Sequence, residues 1–544
     1  MKKQLKIVTL FLAAALACGS FVSCGNSSDS ASSVGTGTDA AGTSSTAEVR
    51  TIRVLGPDSR NIWETRDKQD SFNKLNEMLA ENNLKIEYEV IADEQYQQIV
   101  QTRVAAAKDL PDLVNISPLD TATILNLGKR GVFLDVHSLV DQYSNGNVKS
   151  FGEKYFPDMW KAATAPDGKT YWMPTHQYIT YKEQPFHSNL TTLIRQDWLD
   201  KLGITKPTTL DEFTAALTAM QKNDVNGNGE QDEKMIYTPS FSYIAPSFGL
   251  PAGLVMIDTD DNKAKSPWLM KEQLVEYINY VKSLIGNNLI DTDAFDKSGE
   301  VITQKVQSNK VSAVNDWALG TWNDAYVKDV NGVYEPVMLG KNKGEVPATL
   351  AEDSYAVVEK FAVTSACKDQ QAVADLFDMI YTEEYSTLYF YGVEGTTFNT
   401  NEDGVKVFDP NFKNKDFYQE KATGAFLWSG ELPGNQLSTW ESYIIGMVAE
   451  RPDLLGFSED YCVGQKYWYS GESLLAVPTD EEVATLGKIQ NDIKTYSSET
   501  LVKLCLGQYD VNNIDEYINT LKKLGLEDYV AIYQARHDRY MEAK

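Results

Sequence analysis

Six oxygen-bearing side chains crowd one short stretch of the chain: Asp224, Asn226, Asn228, Glu230, Asp232 and Glu233, with Gly227 and Gly229 between them. Calcium takes about six to eight hard oxygens, and alternating side chains on a tight glycine-containing loop can converge on one point. On that reading Asp224, Asn226 and Asn228 give side-chain oxygens, Glu230 its backbone carbonyl, and Asp232 and Glu233 carboxylates. Met235 stands twelve residues into the loop, where an EF-hand has its closing glutamate. Glu233 then takes the closing role, and Ca2+ is structural rather than catalytic. An Asn/Gly-rich turn without an ion is the competing reading.

The loop needs elements to hold it. Thr209 with Glu212 three residues on is a capping-box pattern, and Phe213, Leu217 and Met220 mark one face of the helix that leads into the loop. Earlier, Thr51–Leu55 and the alternating Leu84, Ile86, Tyr88 and Val90 read as strands. Between them Phe72, Leu75, Met78 and Leu79 recur at helical spacing, and Tyr96, Ile99, Val100 and Val104 form a second stripe before the strand-like Leu113–Ile116. This β-α-β-α-β order is the grammar of a parallel, doubly wound α/β sheet. Strand and helix signals go on alternating: a helix at Lys271–Ile285, strands at Val311–Val314 and Ser354–Val363, and a helix at Gln371–Tyr381. The folded part is longer than one hydrophobic core usually serves, so two or more lobes are expected.

The N-terminus carries Lys2, Lys3 and Lys6, an apolar run from Ile7 to Ala17, and small residues leading to Ser23 and Cys24. That order reads as a secretory signal over 1–23, and the run is shorter than the roughly 20 apolar residues a membrane crossing requires. Phe21, Val22, Ser23 and Cys24, followed by Gly25, resemble the lipobox of bacterial lipoproteins, in which the cysteine is diacylated and becomes the first mature residue. Phe21 stands where that pattern usually has leucine. Cys18 is a rival acylation site, but it leaves almost no polar region between the apolar run and the cut. Residues 24–47 then form a lipidated cysteine and a Ser/Gly/Thr-rich tether, with folding from Glu48. A net charge of −27 repels nucleic acid. Cys367, Cys462 and Cys505 are an odd set and suggest no disulfide framework.

Several segments in order resemble the family-1 extracellular solute-binding lipoproteins of ABC importers, in particular the branch with alginate-oligosaccharide binders. They are Leu110-Pro111-Asp112-Leu113, Asp167-Gly168-Lys169-Thr170-Tyr171 with Pro174, Ile194 through Gly203, Pro207 through Phe213, and Gly392 through Thr396. The terminal stretch through Leu521, Leu524, Tyr529, Ile532, Tyr533 and Tyr540 is also similar. The resemblance implies a two-lobe periplasmic-binding-protein-like (type II) fold with discontinuous lobes, a hinge and an interlobe cleft. It places lobe 1 at 48–176 plus 356–397 and lobe 2 at 177–355 plus 398–544, with the calcium loop in lobe 2. The first crossing is expected near Pro174–Tyr181. It also implies a monomer at the outer face of the cell membrane that captures an oligosaccharide and delivers it to permease subunits.

Sugars present apolar faces and a rim of hydroxyls, so aromatic rings beside Asn, Asp and His suit them. The resemblance points to Trp317 and Trp322, after Asn315 and Asp316, and to Trp63 after the first strand. Trp172, His176 and Tyr178 sit at the expected first crossing, and Trp428, Trp440 and Trp468 lie in the C-terminal portion. Any one ring is more readily core than site. No G-x-S-x-G, H-E-x-x-H or Walker loop is present, and with 77 acidic residues a carboxylate pair carries no information. A binder rather than an enzyme is expected. The alternatives are a secreted polysaccharide-degrading enzyme, or a peptide or sensor-type binder on the same fold.

Overall fold

The computed structural model describes residues 48–543 except 60–62, 182–183, 186–190, 296–298, 317–331, 346, 348, 352–356, 410–429, 440–466 and 470–473. Ten strands build its two main sheets: β1 (Arg50–Asp58), β2 (Leu84–Ala92), β3 (Leu113–Asn115), β4 (Met173–Tyr181), β5 (Thr191–Arg195), β6 (Lys234–Ile236), β7 (Val311–Asp316), β8 (Tyr334–Val337), β9 (Val357–Val363) and β10 (Gln436–Thr439). The first sheet runs β2-β1-β3-β9-β4-β10, with Gln184–Pro185 paired beside β4, and the second runs β8-β5-β7-β6.

Alternation along the strands divides the first core in two. Ile52, Val54, Leu113, Phe361 and Val363 point to one face, while Leu55, Val114 and Ala362 point to the other. Helix α1 (Asp70–Glu81) covers the first face with Leu75, Met78 and Leu79, and α2 (Asp93–Ala106) covers the second with Tyr96, Val100 and Val104. On that second face also lies α3 (Thr121–Lys129). Burial on both faces suits the expected parallel, doubly wound arrangement, which holds for β1, β2 and β3 and for β4 with β10, but β9 runs antiparallel to both β3 and β4, so the sheet is mixed. The second sheet has its own core, into which α4 (Leu210–Lys222) and α5 (Lys271–Gly286) send Phe213, Leu217, Leu274, Ile278 and Val281.

Two further helices, α6 (Gln370–Ile380) and α7 (Glu383–Phe390), close the first face. The 26-residue α8 (Asp480–Cys505) opens on a complete capping box of Thr479 and Glu482. Its start meets the first core, with Asp480 ion-paired to Lys129 and Val483 against the apolar cluster, and its later turns bury Ile493, Leu501 and Leu504 in the second. It therefore ties the two sheets. The last helix, α9 (Leu526–Glu542), starts after Gly525, whose φ of +104° ends the preceding helix.

Local chemistry departs from expectation at α4. Thr209 accepts the Glu212 N–H at 3.2 Å, but the Glu212 carboxylate turns one residue back and takes the N–H and hydroxyl of Thr208, both at 2.9 Å. The box is only half formed. Two pairings bear on where the chain changes sheet. β4 stays in the first sheet through Tyr181, and the next strand of the second sheet begins at Thr191. Gln436–Thr439 pairs with β4, which returns part of 398–544 to the first sheet because those backbone groups extend its open edge. Among the described residues no helix is long and apolar enough to cross a membrane.

Candidate functional site

Strands β1, β3, β4 and β10 run in one direction, so their carboxyl ends share an edge. Open α/β sheets hold ligands outside such an edge. Past the end of β1, Asp58 accepts the Trp63 N–H at 3.1 Å, and the half-buried Trp63 ring packs at 5.9 Å on Phe72 and 5.1 Å on Tyr88. One turn later Arg66, 2% exposed, is ion-paired with Glu431, also 2% exposed, and donates to Gln69 Oε1 at 3.0 Å. Burial pulls the Arg66 guanidinium down to about 10, which leaves it charged at neutral pH.

Glu431 belongs to a strap, 430–435, that crosses the strand ends. Asn115 Nδ2 donates to the Gly430 carbonyl at 2.9 Å, and the Tyr385 hydroxyl donates to the Pro433 carbonyl at 3.0 Å. A Cβ on Gly56 would lie 2.5 Å from the Glu431 Cα, so this crossing requires glycine. Asn435 Oδ1 accepts the His176 N–H at 3.0 Å, and the His176 ring stacks on Phe156 at 4.5 Å. Burial drives that imidazole down to about 3, so it is neutral. Tyr178, half-buried, packs against Tyr155 and Phe156. His176 Nδ1, the Tyr88 hydroxyl and Trp172 Nε1 are buried with no hydrogen-bond partner among the described residues. Each such atom costs about 1–3 kcal/mol unless water or a ligand reaches it.

Trp172 is 3% exposed, in the core, with the Lys360 ammonium 5.3 Å from its ring centre. Trp317, Trp322, Trp428, Trp440 and Cys24 lie outside the described residues. So does the Asp316 side chain, although its backbone pairs with Thr191. Beside it, both amide atoms of Asn315 are buried without a partner among the described residues, at the end of β7. Arg66, Glu431 and Asn435 escaped sequence reasoning, since nothing local marks a residue whose partner lies 365 positions away.

The acidic loop leaves α4 through Asp224 (φ +44°), with Gly227 and Gly229 at φ +77° and +88°. Asp224 accepts the N–H groups of Asn228 and Gly229 at 3.0 and 2.8 Å. Asp232 accepts from the Asn226 and Asn228 amides and pairs with Lys310 at 2.5 Å. Glu233 is 0% exposed; its Oε1 accepts the Asn226 N–H at 3.0 Å, and its Oε2 has no partner among the described residues. Burial pushes its carboxyl up, and the Asp232 and Asp224 charges push the same way. Among the described residues no three His, Cys, Asp or Glu groups already meet around one point. The donor set is nevertheless all hard oxygen, and a buried carboxylate oxygen with no donor, beside two more carboxylates, fits a hard cation.

Residues 66–387 match the family model described as bacterial extracellular solute-binding protein. The chain belongs to that family. This solute-binding protein is 26% identical over 459 residues to a fructooligosaccharide ABC transporter substrate-binding protein, FusA, of Streptococcus pneumoniae, covering 80% of this chain and 81% of that one. It is 25% identical over 315 residues to a polygalacturonan/rhamnogalacturonan-binding protein, YtcQ, of Bacillus subtilis, 55% of this chain and 58% of that one. In fold it matches a solute-binding protein from Bifidobacterium longum infantis described as binding HMO, with a TM-score of 0.71 at 21% identity over 90% of this chain and 99% of the other. FusA bound to kestose matches with a TM-score of 0.69 at 20% identity, over 91% and 100% of the two chains. The expected two-lobe α/β binding-protein fold is therefore established. One solved FusA structure is described as an EF-hand mutant, and a solved alginate-binding protein, AlgQ2, is described as without calcium ion.

Proposed function

We propose that this solute-binding protein is the lipid-anchored receptor of an ABC importer and captures oligosaccharides between two lobes. Its match to FusA runs along four fifths of both chains, and that shared length is what carries the reading. Trp63 at the sheet edge, the half-buried Tyr178 and the unpartnered Asn315 amide are the described groups suited to a ligand with apolar faces and hydroxyls. Trp317 and Trp322 complete that set. Cys24 carries the acyl chains, and 24–47 tethers the lobes to the outer membrane face. Lobe 1 is built on the β1–β4 sheet with β9 and β10, lobe 2 on the β5–β8 sheet. The ligand leaves unchanged, so the protein is not an enzyme.

Ca2+ is held by Asp224, Asn226, Asn228, Asp232 and Glu233 with the Glu230 carbonyl, where it supplies positive charge to the buried Glu233. A thermal-shift screen of fructans, pectic fragments and milk-type oligosaccharides, with and without calcium, tests both parts. A true ligand at about 100 times its Kd stabilises by about 2.7 kcal/mol. No shift with any glycan, or release of shortened products, refutes the receptor reading. An unchanged melt in chelator refutes the metal site.

A further inference from the structure

The metal loop contains its own competing cation. Lys310 Nζ lies 2.5 Å from Asp232 Oδ2. Its backbone is fixed independently of that contact: the Lys310 carbonyl accepts the Lys234 N–H at 3.0 Å where β7 begins beside β6. The preceding residue, Asn309, is held by the loop and by the core. Its carbonyl accepts from Asn226 Nδ2 at 3.1 Å, and its side-chain oxygen accepts from the buried Arg195 at 2.7 Å. The fold thus delivers an ammonium group to the mouth of an acidic loop in which a carboxylate oxygen of the buried Glu233 has no partner among the described residues.

We propose that Lys310 is an exchangeable counter-ion: it neutralises Asp232 while the loop is empty and is expelled when calcium enters, so it lowers the calcium affinity and keeps the empty loop folded. This rests on the calcium reading above. Two features favour exchange over a permanent pairing. An ammonium cannot supply the several coordinated positive contacts that Asp224, Asp232 and Glu233 together invite, whereas a divalent cation can. The Lys310 side chain is also 46% exposed, so it can swing into water at little cost. A surface ion pair of this kind changes an equilibrium by about two- to fivefold.

Lys310→Met keeps the length of the side chain and removes the charge. Calcium titration by calorimetry should give a Kd about two- to fivefold tighter for the variant than for the parent. In chelator the variant should melt below the parent, and with saturating calcium the two should coincide. Lys305→Met breaks a different ion pair, to Asp291, and serves as the control whose calcium Kd should not move. An equal or weaker Kd for Lys310→Met, or the same tightening in the control, overturns the inference while leaving the metal site standing. No calcium heat from any of the three proteins overturns the metal site itself, and with it the inference.

Discussion

Replacing Glu431 by Gln tests whether a buried ion pair holds the strap across the edge of the first sheet. Arg66 and Glu431 are almost wholly desolvated. At a contact separation of ~3 Å and an effective dielectric of about 20, their attraction is about 5–6 kcal/mol. The substitution keeps the shape and removes the charge, while Arg66 still donates to the Gln69 amide oxygen and sits in the field of Asp58. Breaking one side of such a pair costs about 3–5 kcal/mol. With a urea m-value of about 3 kcal/mol/M, the midpoint of the first-sheet transition falls by about 1–1.7 M, read by near-UV circular dichroism. Replacing both partners by apolar groups, Arg66→Met with Glu431→Leu, removes both desolvation penalties and should recover more than half of the loss. A midpoint shift below about 0.3 M, or a double variant no better than the single one, refutes the reasoning.

Three other outcomes follow from the same edge. His176 binds its proton only near pH 3 when folded but near 6.5 when unfolded, so the unfolded state holds more protons between those values and stability falls as pH drops through that window. The slope approaches about 1.4 kcal/mol per pH unit from this one group, and His176→Gln should flatten it; urea midpoints at pH 7 and pH 5 that fall equally in both proteins would count against it. Gly56→Ala drives a methyl into the Glu431 backbone and should cost about 1–3 kcal/mol by urea denaturation, with wild-type stability excluding the close crossing. Trp63→Ala should weaken the oligosaccharide identified by thermal shift about tenfold or more while circular dichroism stays unchanged, the removal of one aromatic anchor being worth about 2 kcal/mol; unaltered affinity removes Trp63 from the site.

The legible parts of the sequence are those whose partners lie nearby. Period-2 alternation at Leu84–Val90 and helical stripes at Leu75, Met78 and Leu79 correctly announced β2 and α1, because each residue's environment there is set by its own element. The turn of the acidic loop was legible for the same reason: the carboxylates and amides that hydrogen-bond across it lie within ten residues, and the glycines that let it turn stand among them. The strap was not legible. Its glutamate answers an arginine hundreds of residues earlier, its Asn435 caps a backbone N–H of β4, and its glycines matter only because two distant backbones cross. Trp172 shows the converse limit: the ring is buried, and a ring at a strand's start has the same composition signal whether it faces solvent or a core. A site assembled at the ends of parallel strands draws each group from a different crossover. Its chemistry is thus non-local by construction, and a change such as Glu431→Gln can reach the Trp63 turn without altering any residue near it.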